Sequence, residues 1–279
     1  MRALKHMSMA EYLALPEKGS SDIVTMSDYG FDYWKKKKAK PRDEDGRASV
    51  VGSVTHLTLQ GEVTKQPGLV ERAVRVYHDP KGLKHPEQSV GFAKFQQENP
   101  RDYCVSEGEM DLAKRMVHAV MSEPEALQYL VGALSEPTIV GNYLDSAIIG
   151  KCRPDYLHVD RGISVNFKTT KAATERQFIL SMAEYGYDWQ SVWHTDVLAT
   201  HFKKKFDEVH ILVEKGETPE DCAILVRFID EETLEFARGQ IWEVVQKLAE
   251  CEKTGVFPRK PVRSETTGLP LHMRRICTL

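Results

Sequence analysis

A chain of 279 residues, 41% hydrophobic and 28% charged, has the composition of a globular protein, which excludes a disordered one. Its formal net charge of −3 excludes a uniformly basic nucleic-acid binder, although a basic groove on an acidic body gives the same near-neutral total. No apolar run approaches the length of a membrane span, so no membrane partner is expected.

Residues 1–9 lack the apolar stretch of a signal peptide. Cys104, Cys152, Cys222, Cys251 and Cys277 are scattered without a CxxC pair, the usage of a reduced cytoplasmic protein without structural zinc. Residues 8–15 read as a short helix ended by Pro16 and Gly19, and Ser20, Ser21 and Asp22 offer caps for a second helix running towards Tyr33. Tyr29, Phe31, Tyr33 and Trp34 stand directly before Lys35, Lys36, Lys37 and Lys38. Such a segment can stack on bases and neutralise phosphates, or equally be a helix end with core aromatics and a solvated lysine tail. Residues 40–46 read as a loop. Gly52 to His56 opens a helix through Leu59, where a lone histidine is more simply a core or cap residue than a ligand.

A strand is expected over 69–77, a turn over 78–86 and a helix over 92–97. Residues 107–123 form a clearer helix, with Leu112, Met116, Val120 and Met121 at helical spacing. Pro124 starts another that runs to Leu134, and 135–141 lead into a central hairpin. After it, 171–190 read as one amphipathic helix with Phe178, Met182, Tyr185 and Trp189 on its apolar side. Two strands, 206–214 and 222–229, follow, the first preceded by Lys203, Lys204 and Lys205 on an expected DNA side. Residues 231–251 are a long helix, and the tail from Thr254 is rich in proline and arginine.

The informative stretch is 152–170: a short strand, a polar turn at 158–162, and a second strand over 163–169. Alternation sends Val165 and Phe167 to one face and Ser164, Asn166 and Lys168 to the other. Asp155, on the partner strand, can face the second side, so a carboxylate, a carboxamide and an ammonium are expected to converge. Such a trio is either a paired structural cluster or a site for a cation and an anion.

Arg153-Pro154-Asp155 followed by Asn166-Phe167-Lys168-Thr169-Thr170 resembles the PD-(D/E)xK nuclease core. More narrowly it resembles the RecE-type (exonuclease VIII-like) branch of phage and prophage recombination exonucleases, relatives of lambda exonuclease. Gly52 to His56, Glu136, and Gln190 within a Tyr-x-x-Gln pattern starting at Tyr187 match the same group in order; His194 stands where its tyrosine is usual. The resemblance implies an α/β fold with a mixed central sheet flanked by helices. It implies one nuclease domain over 1–279, with an N-terminal segment 1–45, a core 46–253 and an extension 254–279. The activity it implies is metal-dependent 5′ to 3′ digestion of double-stranded DNA ends in a bacterial cytoplasm, leaving 3′ tails for a single-strand annealing partner. A homo-oligomeric ring, trimer or tetramer, comes with it.

By the same resemblance, Asp155, the Phe167 carbonyl and His56 would hold Mg²⁺ or Mn²⁺, with Asn166 at a ligand position. Lys168 would orient the attacking water, Gln190 would hold the phosphate or the water, and Glu136 would ligate or orient a second cation. Arg153, Thr169 and the four lysines Lys35 to Lys38 would lie against DNA. One departure bears on all of this. The family carries Asp or Glu where Asn166 stands, and a carboxamide gives a cation a neutral oxygen in place of a full charge. That loss weakens metal binding by about tenfold or more. Three readings of Asn166 stand: an introduced inactivating substitution, which the intact flanking pattern favours; a degenerate member that only binds DNA ends; or compensation by Glu136 or Asp160. A sequence-specific endonuclease is a further alternative, though no room for a recognition insertion is evident.

Overall fold

A computed structural model describes residues 7–39, 46–66, 68–100 and 102–260. The first helix, α1 (Met9–Ala14), is set by Ser8, whose hydroxyl accepts the Glu11 N–H while the Glu11 carboxylate accepts the Ser8 N–H. The single helix expected to follow is two, α2 (Ser20–Tyr29) and α3 (Phe31–Lys38). Gly30 separates them at φ +95°, with its α-carbon so close to Lys260 that a Cβ would meet that backbone nitrogen at 2.7 Å. The four lysines therefore belong to α3 itself, not to a tail beyond it. The loop expected at 40–46 falls mostly outside the described residues.

Next come α4 (Arg47–Thr64), longer than expected, and α5 (Gly68–Ala73), which takes the first half of the stretch expected as strand and leaves β1 (Val74–Tyr77). They are followed by α6 (Val90–Glu98), β2 (Tyr103–Ser106), α7 (Glu107–Met121) and α8 (Pro124–Leu130). Ser106 and Glu109 form the capping box that starts α7. β1 and β2 pair in parallel as a small separate sheet, and Val74 and Val105 pack there against Val54, Met110 and Ala113. The helix expected to reach Leu134 stops at Leu130, because Gly132 turns the chain at φ +79°.

The second half supplies β3 (Leu134–Ser135), β4 (Ile139–Asn142), β5 (Ile149–Cys152), β6 (Tyr156–His158) and β7 (Ile163–Thr170). Then come α9 (Glu175–Tyr185), α10 (Tyr187–Phe202), β8 (Asp207–Glu214), β9 (Ile224–Phe228) and α11 (Glu231–Thr254). The one helix expected over 171–190 is thus broken. Gly186, in the left-handed region at φ +65°, ends α9 and starts α10.

The central sheet has the order β3-β6-β7-β8-β9 and is antiparallel except for β7 and β8, which pair in parallel across the α9–α10 connection. Val165, Phe167, Val209, Ile211 and Val213 face a core shared with Val51 and Leu59 of α4 and with Met116 and Val120 of α7. Each such side chain taken fully from water stabilises the fold by roughly 1.5–3 kcal/mol. On the other face Val192, Trp193 and Val197 of α10 pack with Ile241, Val245 and Leu248 of α11 and with the β4–β5 hairpin. This is a mixed α/β fold, a mixed central sheet flanked by helices. Cys104, Cys152, Cys222 and Cys251 are buried free thiols. Among the described residues no helix is long and apolar enough to cross a membrane.

Candidate active site

β6 is three residues long and pairs with β7 only from Ile163 to Val165. Beyond that point, among the described residues, the edge of β7 has no strand partner on this side, and Asp155 takes the vacated place. Its N–H donates to the Val165 carbonyl at 3.1 Å, and its Oδ2 accepts the Phe167 N–H at 2.7 Å. The N–H and C=O of one strand residue point to the same edge, so the Phe167 carbonyl is turned towards Asp155 as well. Asp155 Oδ1 lies 3.7 Å from His56 Nδ1, and the His56 ring stands edge-on to the Phe167 ring with centroids 4.8 Å apart. The Gly-xxx-His spacing has a steric reason here. A Cβ on Gly52 would lie 3.4 Å from the Thr169 hydroxyl, so α4 crosses β7 closely one turn before His56. Thr169 accordingly contacts α4.

Asn166 and Lys168 lie on the opposite face of β7, under α10. Asn166 is buried, and its Nδ2 donates to Gln190 Oε1 at 2.9 Å. The Lys168 ammonium sits 5.9 Å from the centre of the Tyr187 ring, whose phenol is pushed up to about 12 by burial and so stays protonated. The expected convergence of the trio on one face needs correction. Asp155 precedes β6 and reaches the site from the strand edge through a backbone donor, whereas alternation alone places Asn166 and Lys168.

Glu136 is tied to Asp155 by backbone, its N–H donating to the Asp155 carbonyl at 2.9 Å from a left-handed φ of +46°. Its carboxylate is turned to Arg153, Nη2 to Oε2 at 2.5 Å. The Arg153 side chain is 10% exposed, and its Nε is buried without a hydrogen-bond partner among the described residues. Asp160 lies in the β6–β7 turn, where its carbonyl and that of Val159 accept the Lys204 ammonium. The Glu136 carboxylate proposed to compensate at 166 is thus paired with Arg153, and the Asp160 contact lies in the turn at the far end of β7. Among the described residues no three His, Cys, Asp or Glu side chains gather as a metal cage. The remaining donors are one carboxylate, one backbone carbonyl and one imidazole. They fit a hard, partly hydrated divalent cation held by a single full charge.

The basic segments are mostly engaged within the protein. Lys38 meets Asp22 at 3.0 Å beside the buried Trp34, whose Nε1 donates to the same carboxylate. Lys36 pairs with Asp32, Lys35 covers the Phe257 ring at 4.0 Å, and Lys37 is exposed. Tyr29 and Tyr33 remain exposed, with ring centroids 5.0 Å apart. Lys204 and Lys205 belong to the Ile163 end of β7, several residues along the strand from Lys168.

Sequence reasoning singled out Ser164 and His194 but missed the buried polar residues they join behind Asn166: Ser191, Glu208 and His210. Burial alone would push Glu208 up, but the charge and hydrogen bond of His194, aided by His210 and Ser164, hold it down at about 2. Burial pushes His210 down to about 4 against the pull of Glu208. The signal was present as Glu208 and His210 at alternate positions of a strand whose interior is otherwise apolar from Val209 to Val213.

A mixed sheet with an acidic residue at the edge of β7, and a lysine two positions after the site of the second acid, defines the PD-(D/E)xK nuclease class of folds. The family described as PDDEXK-like domain of unknown function (DUF3799) matches residues 19–267, and the chain belongs to it. Proteins of this class typically use divalent metals. Among solved structures the chain is similar to "Putative exonuclease" from Eubacterium rectale, with a TM-score of 0.60 and 11% identity over 94% of this chain and 97% of that one. At that identity the likeness shows the fold. No curated protein sequence matches the chain.

Proposed function

We propose that the protein is a metal-dependent deoxyribonuclease that digests double-stranded DNA from its ends, 5′ to 3′, and that Asn166 holds its activity low. The observation that carries this reading is the Asp155 carboxylate on the β7 edge beside His56, with Lys168 and Gln190 on the adjoining face. End-dependence and polarity rest on the RecE-type resemblance, and the name of the structural neighbour, an exonuclease, agrees with end-dependence alone. The same reading includes 3′ tails passed to an annealing protein, a ring of three or four copies, and a bacterial cytoplasm.

Asp155, His56 and the Phe167 carbonyl would hold the cation, Mg²⁺ or Mn²⁺. When bound, it supplies charge neutralisation at the phosphate and a more acidic water. Lys168 brings an ammonium that pairs with a phosphate oxygen and orients the attacking water. Gln190 already accepts from Asn166 through Oε1, so its Nε2 is the group left to donate to a phosphate oxygen or the water. Arg153, once released by Glu136, offers a planar fork to a neighbouring phosphate.

The test is digestion of linear and circular duplex, with Mg²⁺ and with Mn²⁺, by this chain and by Asn166→Asp. Degradation of linear DNA alone, stronger in the Asp form, supports the exonuclease. Cut circles indicate an endonuclease. Retention of ends without cutting by either form supports the second reading, a DNA-end binding protein on a nuclease fold, which the lone carboxylate at the cation site favours.

A further inference from the structure

Directly behind the Asn166–Gln190 contact lies a buried network that the proposed chemistry does not use. Glu208, on β8, has a side chain with no solvent exposure. Its Oε2 accepts the Ser164 hydroxyl of β7 at 2.6 Å and meets His194 Nδ1 of α10 at 2.8 Å. Its Oε1 accepts the Ser191 hydroxyl of α10 at 2.9 Å. Ser191 in turn meets His210 Nε2 at 2.8 Å. In the β7–β8 register Glu208 stands opposite Ser164 and His210 opposite Asn166, and Gln190 is the residue immediately before Ser191.

Burying an ionised carboxylate costs several kcal/mol unless it is fully hydrogen-bonded, and apolar side chains of similar volume often do as well for stability. This carboxylate satisfies the requirement with donors from two elements, two of them on α10. That helix starts at a left-handed glycine, so the regular backbone of α9 does not continue into it or fix its rotation. We propose that Glu208 is a positioning residue: by gripping Ser191 and His194 it sets the rotation of α10 and so holds the Gln190 amide against position 166 at the cleavage site. The histidine at 194, where the resemblance expects tyrosine, then has a function, since its Nδ1 is one of the two α10 contacts to the carboxylate.

This inference rests on the nuclease reading, and its test separates the two. In a double-mutant cycle on the full chain with Mn²⁺, Glu208→Gln and Gln190→Ala are each expected to lower kcat about tenfold with KM changed less than about twofold. The double variant should then be no slower than Gln190→Ala, because both act through one side chain. Additive losses, or a Glu208→Gln variant with unchanged kcat, overturn the proposal. A readout independent of cleavage is the Gln190 side-chain amide resonance, assigned by its disappearance in Gln190→Ala. It should move in Glu208→Gln, and an unmoved resonance in the folded variant also overturns the proposal. If the parent chain fails to cut DNA, the nuclease reading falls while the amide resonance still decides the positioning claim. Should Glu208→Gln not fold, Ser191→Ala removes only one of the three donors to the carboxylate, together with the His210 contact, and carries the same measurements.

Discussion

Asn166 and Gln190 meet amide to amide, the strand residue donating Nδ2 to the helix residue's Oε1 at 2.9 Å. The direction of that bond is a consequence of the carboxamide at 166. A carboxylate there can only accept, so Gln190 would have to turn its Nε2 towards the strand. This one residue thus sets both the charge at position 166 and the way Gln190 faces.

Asn166→Asp supplies a full negative charge at the ligand position that the family resemblance implies. Mn²⁺ binding is expected to tighten by about tenfold or more, and digestion of linear duplex to rise with it. Titration calorimetry of the two proteins with Mn²⁺ checks the first part without reference to activity. Equal affinities would show that position 166 does not face the cation.

Gly150 lies where β5 passes under α10. A Cβ there would meet Val197 at 2.8 Å and the Trp193 ring at 2.9 Å, both buried and unable to give way freely. Gly150→Ala is therefore expected to destabilise the fold by about 1–3 kcal/mol. Urea denaturation should show a lower midpoint with an unchanged slope.

Glu136 offers its carboxylate to Arg153, and removing it leaves a nearly buried guanidinium short of its counter-charge. Glu136→Ala should cost about 1–3 kcal/mol of stability, and Glu136→Gln less because an acceptor remains. Mn²⁺ affinity should be unchanged in both variants. A clear loss of affinity in Glu136→Gln would instead make the carboxylate a ligand.

Acid should destabilise the protein through His210 and Glu208 in succession. His210 is held near 4 against an ordinary 6.5, so between those values the unfolded chain takes up a proton that the folded one refuses. Glu208, held near 2 against 4.5, repeats this at lower pH. Both contributions are present at neutral pH and fade as pH falls, His210 from about 6.5 to 4 and Glu208 from about 4.5 to 2. Each steepens the loss by at most about 1.4 kcal/mol per pH unit. His210→Gln should flatten the upper part of a stability profile measured by urea titration, leaving the lower part in place.

The hairpin that carries Asp155 and Lys168 was legible because its information is local: alternation in β7, a polar turn with Gly162, and a run of motif residues within one stretch. The helix breaks at Gly30 and Gly186 were not. Apolar spacing continues across both, and only the contacts of Gly30 with Lys260 and of Gly186 with Val24 mark where the chain turns. The β4–β5 hairpin escaped because its four-residue strands contain Gly150 and Lys151. The lysine is buried only because its ammonium finds the Tyr12 and Leu15 carbonyls, far back in the sequence. The same limit hid Glu208, which reads as an ordinary polar residue in a strand until β7 and α10 are laid on either side of it.

The open edge of β7 carries a lesson for anyone making a dead version of this protein. A strand edge without a ladder partner can accept a foreign strand, and here the Asp155 carboxylate occupies the Phe167 donor at a part-buried position. On the proposed reading, alanine at 155 would abolish chemistry and also leave the Phe167 donor unpaired at the strand edge, so a lost activity could be misread from a clumped sample. Asparagine at 155 keeps an oxygen on that donor while removing the charge. It is the better choice for a test of DNA binding without cleavage, and light scattering of the two proteins should show the alanine form alone drifting to larger species.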